Sequence, residues 1–229
     1  MKEINHVAFI MDGNRRYAKK QGKSSHFGHK AGAKTLENVL EWCDKAKIST
    51  VTLFAFSVQN FKRNQEEKNK IFDLFEDYFS KWKEKKQRKD INVKFLGRLH
   101  LFPQKIQNLC KEIESENKEE NTKTIQFCFG YGGREEIVDA SKALAKDVQE
   151  GKVLLEDVNE DTLSNYVYSC LKPDIIIRTG GDMRTSNFLL WQSTYSEWFF
   201  IDTLWPAFSK KEFESILNEF QQREQRFGK

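Results

Sequence analysis

Short continuous apolar runs alternate with longer stretches whose apolar residues recur every third or fourth position. Val7-Ala-Phe-Ile-Met11 is such a run, closed by the turn formers Asp12, Gly13 and Asn14, and reads as a buried strand. Leu36, Val39, Leu40 and Cys43 then fall on one helical face. Thr50-Val-Thr-Leu-Phe-Ala-Phe56 is rich in β-formers and bounded by polar residues, a second strand. Ile71, Leu74, Phe75, Tyr78, Phe79 and Trp82 predict a long amphipathic helix over 65–88. Further strands are expected at Ile91–Leu96, Thr124–Phe129, Ile175–Ile177 and around Trp198–Ile201, with helix stripes at Ile106, Leu109, Cys110 and Ile113 and at Ile137, Ala140, Leu144 and Val148. The last helix marks its own start: Ser209 and Glu212 fit a capping box, with Phe208 and Phe213 as the staple around it. Phe213, Ile216, Leu217 and Phe220 supply its buried stripe.

Strands separated by helices of this length predict an α/β fold, a mostly parallel six-stranded sheet with helices on both faces. No repeat, low-complexity tract or Pro-rich linker divides the chain, so residues 1–229 read as one domain.

Composition narrows the class. A charged fraction of 31% against a hydrophobic fraction of 38% implies a heavily solvated surface. No apolar run approaches the roughly 20 residues needed to span a bilayer, and Met1-Lys-Glu-Ile-Asn-His6 lacks a signal-peptide layout. A cytoplasmic location is expected. Cys43, Cys110, Cys128 and Cys170 are widely spaced, which argues against a disulfide framework or a zinc site. The net charge of +4 is small for 229 residues and does not point to nucleic acid.

The candidate chemistry gathers where strands end. In a parallel sheet the turns after successive strands share one edge, where open α/β sheets bind ligands. That edge receives Asp12-Gly-Asn-Arg-Arg16, Ser57 to Arg63, Gly132-Gly-Arg134 and Arg178-Thr-Gly-Gly-Asp-Met-Arg-Thr-Ser-Asn187. Arginine-bearing turns facing one crevice repel each other unless an anion lies between them, and two or more phosphates fit. Gly13 and Asn14 precede a helix, whose first N–H groups add an anion site. Asp12 is the odd charge in this basic cluster. It is either a turn or N-cap residue or a ligand of Mg²⁺, which binds through one or two carboxylates plus substrate phosphates. Glu197, set between aromatic residues, is either a second metal ligand or half of a partly buried ion pair with an arginine. His29, read as lying ahead of a helix, is either structural or a donor to a diphosphate. Phe54, Ala55, Phe56 and Phe61 flank the crevice, and a phosphate-binding mouth over an apolar interior suits an amphiphile with a charged head and a hydrocarbon tail. There is no GxxxxGK[ST] loop, which argues against a P-loop NTPase, and no DDxxD-type cluster.

Five blocks resemble the cis-prenyltransferases, most closely the bacterial undecaprenyl diphosphate synthases. They are His6 to Lys19, Phe27-Gly-His-Lys-Ala-Gly32, Thr52-Leu-Phe-Ala-Phe-Ser57 continuing through Asn60-Phe-Lys-Arg63, Tyr131-Gly-Gly-Arg-Glu-Glu-Ile137, and Ile177 to Gln192 extending to Glu197. The resemblance implies an apolar tunnel and repeated cis-condensation of isopentenyl diphosphate onto an allylic diphosphate, typically farnesyl diphosphate, giving a long polyprenyl diphosphate such as undecaprenyl diphosphate. It further implies Mg²⁺ as cofactor, a homodimer, and delivery of the product to the membrane surface at the inner face. Asp12 would be the essential carboxylate and metal ligand, with Asn60 also catalytic and Glu197 sharing the metal, from the partner of a dimer. Gly13, Asn14, Arg16 and His29 would serve the allylic diphosphate, Arg178, Arg184 and Ser186 the isopentenyl diphosphate, and Arg15 and Tyr17 are further substrate-binding residues. Asn60, Phe61, Arg63 and Glu67 match the segment after the second strand, with Phe56 and Ser57 at the mouth.

Ser25, Tyr17, Phe61, Asn64 and Gly130 depart from the family pattern, none at a catalytic carboxylate. Arg226-Phe-Gly228 matches its C-terminal Arg-x-Gly element. A short- or medium-chain synthase and a non-catalytic subunit of a heteromeric prenyltransferase are the alternative expectations. Either Asp12 or the released diphosphate serves as base for the proton that the adduct loses.

Overall fold

A computed structural model describes residues 3–84 and 90–223. Six strands, β1 (His6–Ile10), β2 (Thr50–Ser57), β3 (Ile91–Leu96), β4 (Lys123–Tyr131), β5 (Ile175–Arg178) and β6 (Glu197–Phe200), form one sheet in the order β3-β4-β2-β1-β5-β6. Every neighbouring pair is parallel. The connecting helices are α1 (Asn14–Lys20), α2 (Ser25–Lys45), α3 (Gln65–Glu84), α4 (Gln104–Glu114), α5 (Gly133–Gln149), α6 (Glu160–Ser164) and α7 (Lys210–Gln222).

β1 is buried at every position, as a central strand covered on both faces must be. Its side chains alternate between the faces. Val7 and Phe9 join a large core with α2, α3, α4 and α7, while Ala8 and Ile10 join a smaller one with Cys128, Ile176 and Phe188. The three buried cysteines, Cys43, Cys110 and Cys128, pack as small hydrophobes, and burial pushes their thiols upward, Cys110 to about 12.

Most predicted elements fall where the periodicity puts them. The capping box at Ser209 and Glu212 forms, and Phe208 and Phe213 both pack against Phe9 and Trp42. Some readings change. α2 begins at Ser25, so His29 lies inside its second turn rather than ahead of it. The polar Ser-Ser-His start carries no apolar stripe to reveal that turn. The helix predicted over 65–88 is described as Gln65–Glu84, and the remainder of that stretch lies outside the described residues. The Arg226-Phe-Gly228 element also lies outside them. The five-residue α6, capped by Asn159, is too short for periodicity to announce.

A polar chain runs across the apolar sheet. The Thr52 hydroxyl donates to Gln126 Oε1 at 2.9 Å, so it accepts from His6 Nε2 at 2.7 Å, and Gln126 Nε2 continues to Ser169 Oγ at 2.7 Å. Burial holds the His6 imidazole down at about 4 and therefore neutral near pH 7.

Candidate active site

The backbone first makes the turn after β1. Gly13 has φ 112°, in the left-handed region, and a Cβ there would stand 2.9 Å from Leu204 atoms. α1 starts at the next residue, so Asn14 looks back across the turn, donating from Nδ2 to the Met11 carbonyl at 3.2 Å. α2 packs closely on α1 here, and a Cβ on Gly32 would lie 2.1 Å from Asn14 Oδ1. Small residues at this crossing keep Asn14 and His29 side by side.

Both line a cavity of about 170 Å³ between α2, α3 and the sheet. Its mouth carries Asn14, His29, Asn60 and Arg63, and its walls are apolar: Ala55, Phe56, Leu74, Phe75, Phe79 and Phe129 among them. The Asn14 Oδ1 and His29 Nε2 atoms are buried and have no hydrogen-bond partner among the described residues. Unmet polar atoms at the head of an apolar cavity are costly unless a ligand or water completes them. Burial, reinforced by the Arg63 charge, lowers the His29 imidazole to about 4, so it stands neutral at pH 7 with one N–H to donate. Where the family resemblance implies an apolar tunnel, the structure has a partly open, aromatic-walled cavity.

A second, more open hollow of about 590 Å³ adjoins the first and shares Met11, Phe54, Asn60 and Arg63 with it. Asp12, Ser57, Arg178, Ser186 and Asn187 complete its wall. β2 reaches this edge through register shifts against β4 on either side of Phe56, which turn the strand end where the two cavities meet. Ser57 and Asn60 then cap the 3₁₀ turn Val58–Lys62: Ser57 N–H donates to Asn60 Oδ1 at 3.0 Å and Asn60 N–H to Ser57 Oγ at 3.2 Å. Asn60, read as catalytic, therefore has its amide oxygen engaged in holding this turn.

The loop after β5 is wound tightly. Gly180 and Gly181 have φ of 93° and 81°, and Ser186, Asn187 and Leu189 also lie in the left-handed region, at 51°, 65° and 45°. For the non-glycine residues, that conformation costs roughly 1–3 kcal/mol each, and the loop is held by specific bonds. Asn187 Oδ1 accepts the Arg134 N–H at 2.8 Å and its carbonyl accepts the Gly133 N–H at 2.7 Å, which ties the fourth strand-end turn to the loop.

Within the loop Arg178, 3% exposed, is a hub. Nη1 donates to the Arg184 carbonyl and to Ser186 Oγ, and Nη2 to Asp12 Oδ2 at 3.0 Å. Arg16 bridges Asp12 Oδ1 at 3.1 Å and donates to the Gly180 carbonyl at 2.6 Å. Arg184, 62% exposed, pairs among the described residues with Asp182 alone, through both oxygens at 3.0 and 2.9 Å.

Sequence reasoning missed Asp182. It contacts Arg16 at 3.5 Å, Arg178 at 3.6 Å and Arg184 at 2.9 Å, so part of the charge assigned to a bound anion is balanced by this carboxylate. Desolvation resists its ionisation, but the three guanidinium groups outweigh that and hold it below the ordinary aspartate range. Its place two residues before Arg184 and four after Arg178 was the available signal. Glu67 plays the same part at the other wall, 3.1 Å from Arg63 and 3.8 Å from Arg15. Glu136 was missed too. It is fully buried, accepts from Tyr131 OH, from Gln192 Nε2 at 2.9 Å and from the Tyr168 N–H at 2.9 Å, and shares the helical stripe of Ala140 and Leu144.

Other expected site residues stand apart. Tyr17 stacks on Phe27 (6.5 Å, 7°), and Phe61 packs with Phe56 and Phe102 (4.9 and 5.1 Å); neither lines the two cavities. Phe61 is drawn into the aromatic core because its 3₁₀ turn lies over it. Glu197 opens β6 opposite Ile175, itself opposite Val7 at the start of β1, whereas Asp12 follows the end of β1. One chain therefore places Glu197 and Asp12 at opposite edges of the sheet. Within the chain Glu197 forms the ion-pair alternative, 2.7 Å from Arg223.

Among the described residues no three His, Cys, Asp or Glu side chains gather as a ready-made metal cage. Asp12 carries the carboxylate on the wall of the open hollow, beside cationic groups suited to phosphate oxygens. One carboxylate with substrate oxygens is an ordinary donor set for Mg²⁺, so the residues fit that ion.

Comparison with known proteins agrees with this layout. The family described as "Putative undecaprenyl diphosphate synthase" matches residues 10–228. The chain is 45% identical over 228 residues to the tritrans,polycis-undecaprenyl-diphosphate synthase (geranylgeranyl-diphosphate specific) of Pyrococcus abyssi, covering 98% of this chain and 86% of that protein. It is 42% identical to the isoprenyl transferase of Thermotoga maritima, covering 100% and 98%. Among solved structures, lavandulyl diphosphate synthase from Lavandula x intermedia superposes with a TM-score of 0.93 at 28% identity, covering 99% and 98% of the two chains. A probable undecaprenyl diphosphate synthase from Campylobacter jejuni superposes with a TM-score of 0.82 at 34% identity over the whole of both. The two adjoining cavities, one apolar with a polar mouth and one bearing Arg63 and Arg178, thus belong to a member of the cis-prenyltransferase family of undecaprenyl diphosphate synthases.

Proposed function

We propose that the protein elongates an allylic diphosphate with isopentenyl diphosphate, repeatedly and in cis, to a long polyprenyl diphosphate. The observation that carries this reading is the pairing of an apolar cavity, headed by the unmet polar atoms of Asn14 and His29, with an arginine-lined hollow that shares its mouth. The allylic tail fits the first and its diphosphate the mouth; isopentenyl diphosphate fits the second, against Arg178 and Ser186.

The allylic C1–O bond breaks, its electron pair leaving on the diphosphate. The isopentenyl double bond supplies the pair that forms the new carbon–carbon bond at C1, and loss of a C2 proton creates the new double bond. Stabilising the departing charge is the main task; Arg63 and neutral His29, which line the apolar cavity, would donate to it, and Arg16 would act from beside Asp12. Asp12 would hold Mg²⁺, which supplies further neutralisation of the diphosphates when bound. In this scheme the released diphosphate accepts the proton. Adjoining cavities align the two reactants, the entropic share of catalysis.

Farnesyl diphosphate is the first primer to test. Geranylgeranyl diphosphate is the second, because the archaeal relatives at 44–45% identity carry that specificity in their names. A homodimer is part of the reading, supported by the exposed apolar residues Leu155, Leu171, Leu190 and Tyr195; a share of Glu197 in the metal would require it. The experiment is incubation with radiolabelled isopentenyl diphosphate, Mg²⁺ and each primer, followed by sizing of the products. A ladder ending in long cis-polyprenyl diphosphates is expected. No product from folded protein refutes the enzymatic reading, and arrest after one or two additions refutes the long-chain assignment.

A further inference from the structure

Residues 13–36 contain two arginines and five lysines and not one aspartate or glutamate, although the whole chain carries a net charge of only +4. The stretch builds α1 and the first half of α2. Arg15 and Arg16 turn toward the site, to Glu67 and to Asp12 and Asp182. Lys19, Lys20, Lys23, Lys30 and Lys34 are all exposed, and among the described residues none has a carboxylate within ion-pair distance. Exposed lysines elsewhere on the chain commonly pair, as Lys45 does with Glu41 and Lys70 with Glu66. At the turn between α1 and α2, Lys19 and Lys23 line a shallow basic recess of about 580 Å³ with Gly22 and Ser25, and Arg15 and Arg16 form its side toward the site.

The recess is joined by an aromatic pair. Phe27 is 39% exposed and lies flat on Tyr17. Phe27, Lys30 and Lys34 fall on one stripe of α2 by their spacing. A cationic face with an exposed aromatic at its centre is the composition of helices that lie on a membrane surface. The same two helices present Asn14, His29, Ala33 and Leu36 to the apolar cavity, so the basic face flanks the mouth from which a prenyl tail must leave.

We infer that the outer face of α1 and the start of α2 docks the protein on an anionic phospholipid bilayer, setting the cavity mouth at the lipid surface. The inference deepens the proposed function and rests on its polyprenyl product, which has no stable place in water. Charge complementarity selects the partner: a lysine near an anionic leaflet contributes a several-fold gain in binding, and several acting together anchor a peripheral protein. No helix of the described residues is long and apolar enough to cross a membrane, so attachment through this face is reversible and salt-sensitive.

The test is flotation of the full chain, without substrates, on vesicles of phosphatidylcholine alone or with about one-third phosphatidylglycerol. Binding to the anionic vesicles only is expected, lost when salt is raised to about 1 M, where screening shortens to about 3 Å. Replacing Lys19, Lys23, Lys30 and Lys34 by Gln should weaken that binding roughly hundred-fold. Turnover on soluble substrates in detergent should stay at the parent level. A second set with Glu at the same positions should abolish binding, with the circular dichroism spectrum checked for both. Equal binding to neutral vesicles, or undiminished binding by the Gln variant, overturns the inference. So does an increase in the diphosphate KM values of the Gln variant with vesicle binding intact, which assigns the lysines to substrate capture. Because flotation needs no catalysis, product formation without vesicle binding defeats this inference alone. Vesicle binding without product defeats the enzymatic reading alone.

Discussion

Arg178 and Arg184 look equivalent in the sequence, yet they should fail in different ways when removed. Arg178→Ala deletes a 3% exposed guanidinium that donates to the Arg184 carbonyl, Ser186 Oγ and Asp12, with Asp182 a further 3.6 Å contact. Each hydrogen bond to a charged group is worth roughly 1.5–3 kcal/mol, and the values do not add. Breaking a buried pair by removing one partner costs roughly 3–5 kcal/mol. Asp12 and Asp182 retain Arg16, which places the expected loss near 3 kcal/mol rather than at the sum. For a chain of this size that is about 6–12 °C in Tm. Arg184→Ala removes an ion pair whose guanidinium is 62% exposed, worth at most about 1 kcal/mol, so its Tm should move by no more than about 4 °C. In kinetics both should raise the isopentenyl diphosphate KM more than the allylic KM. The assay is thermal unfolding beside steady-state kinetics with each substrate varied. Equal Tm shifts, or an Arg178→Ala protein as stable as the parent, would refute the hub assignment.

Three further outcomes follow from the geometry. Asp12→Asn should lower turnover about a thousand-fold while the circular dichroism spectrum is unchanged; turnover within ten-fold of the parent contradicts its role. Gly32→Ala puts a Cβ 2.1 Å from Asn14 Oδ1 and 2.9 Å from the Trp205 ring, so the allylic KM should rise and stability fall by roughly 1–3 kcal/mol, measured by kinetics and urea unfolding. His6 is depressed from 6.5 to about 4 by burial, so the folded state binds this proton more weakly than the unfolded chain. Its contribution is complete above pH 6.5 and lost as pH falls through about 4, a span worth roughly 3 kcal/mol. Urea titrations across that range should show a shallower acid loss for His6→Gln, and an identical pH dependence argues against this linkage.

The chain by itself determined the alternation of strands and helices, because burial on both faces leaves continuous apolar strands and one-sided burial leaves a helical stripe. The parallel sheet, the capping box at Ser209 and the convergence of Asp12, Arg63, Arg178 and Ser186 on one edge follow from that order. Local signals were enough, since strand ends of a parallel sheet meet wherever the strands are placed. Charge pairing was not legible in this way. Asp182 balances three arginines and Glu67 two, through contacts that span up to 166 residues for the Arg16–Asp182 pair. Nor could spacing tell buried Arg178 from exposed Arg184, or place Phe61 in the core and Glu197 at the far edge. Those outcomes depend on which side of an element faces the cavity and on strand register, and only the tertiary structure decides them.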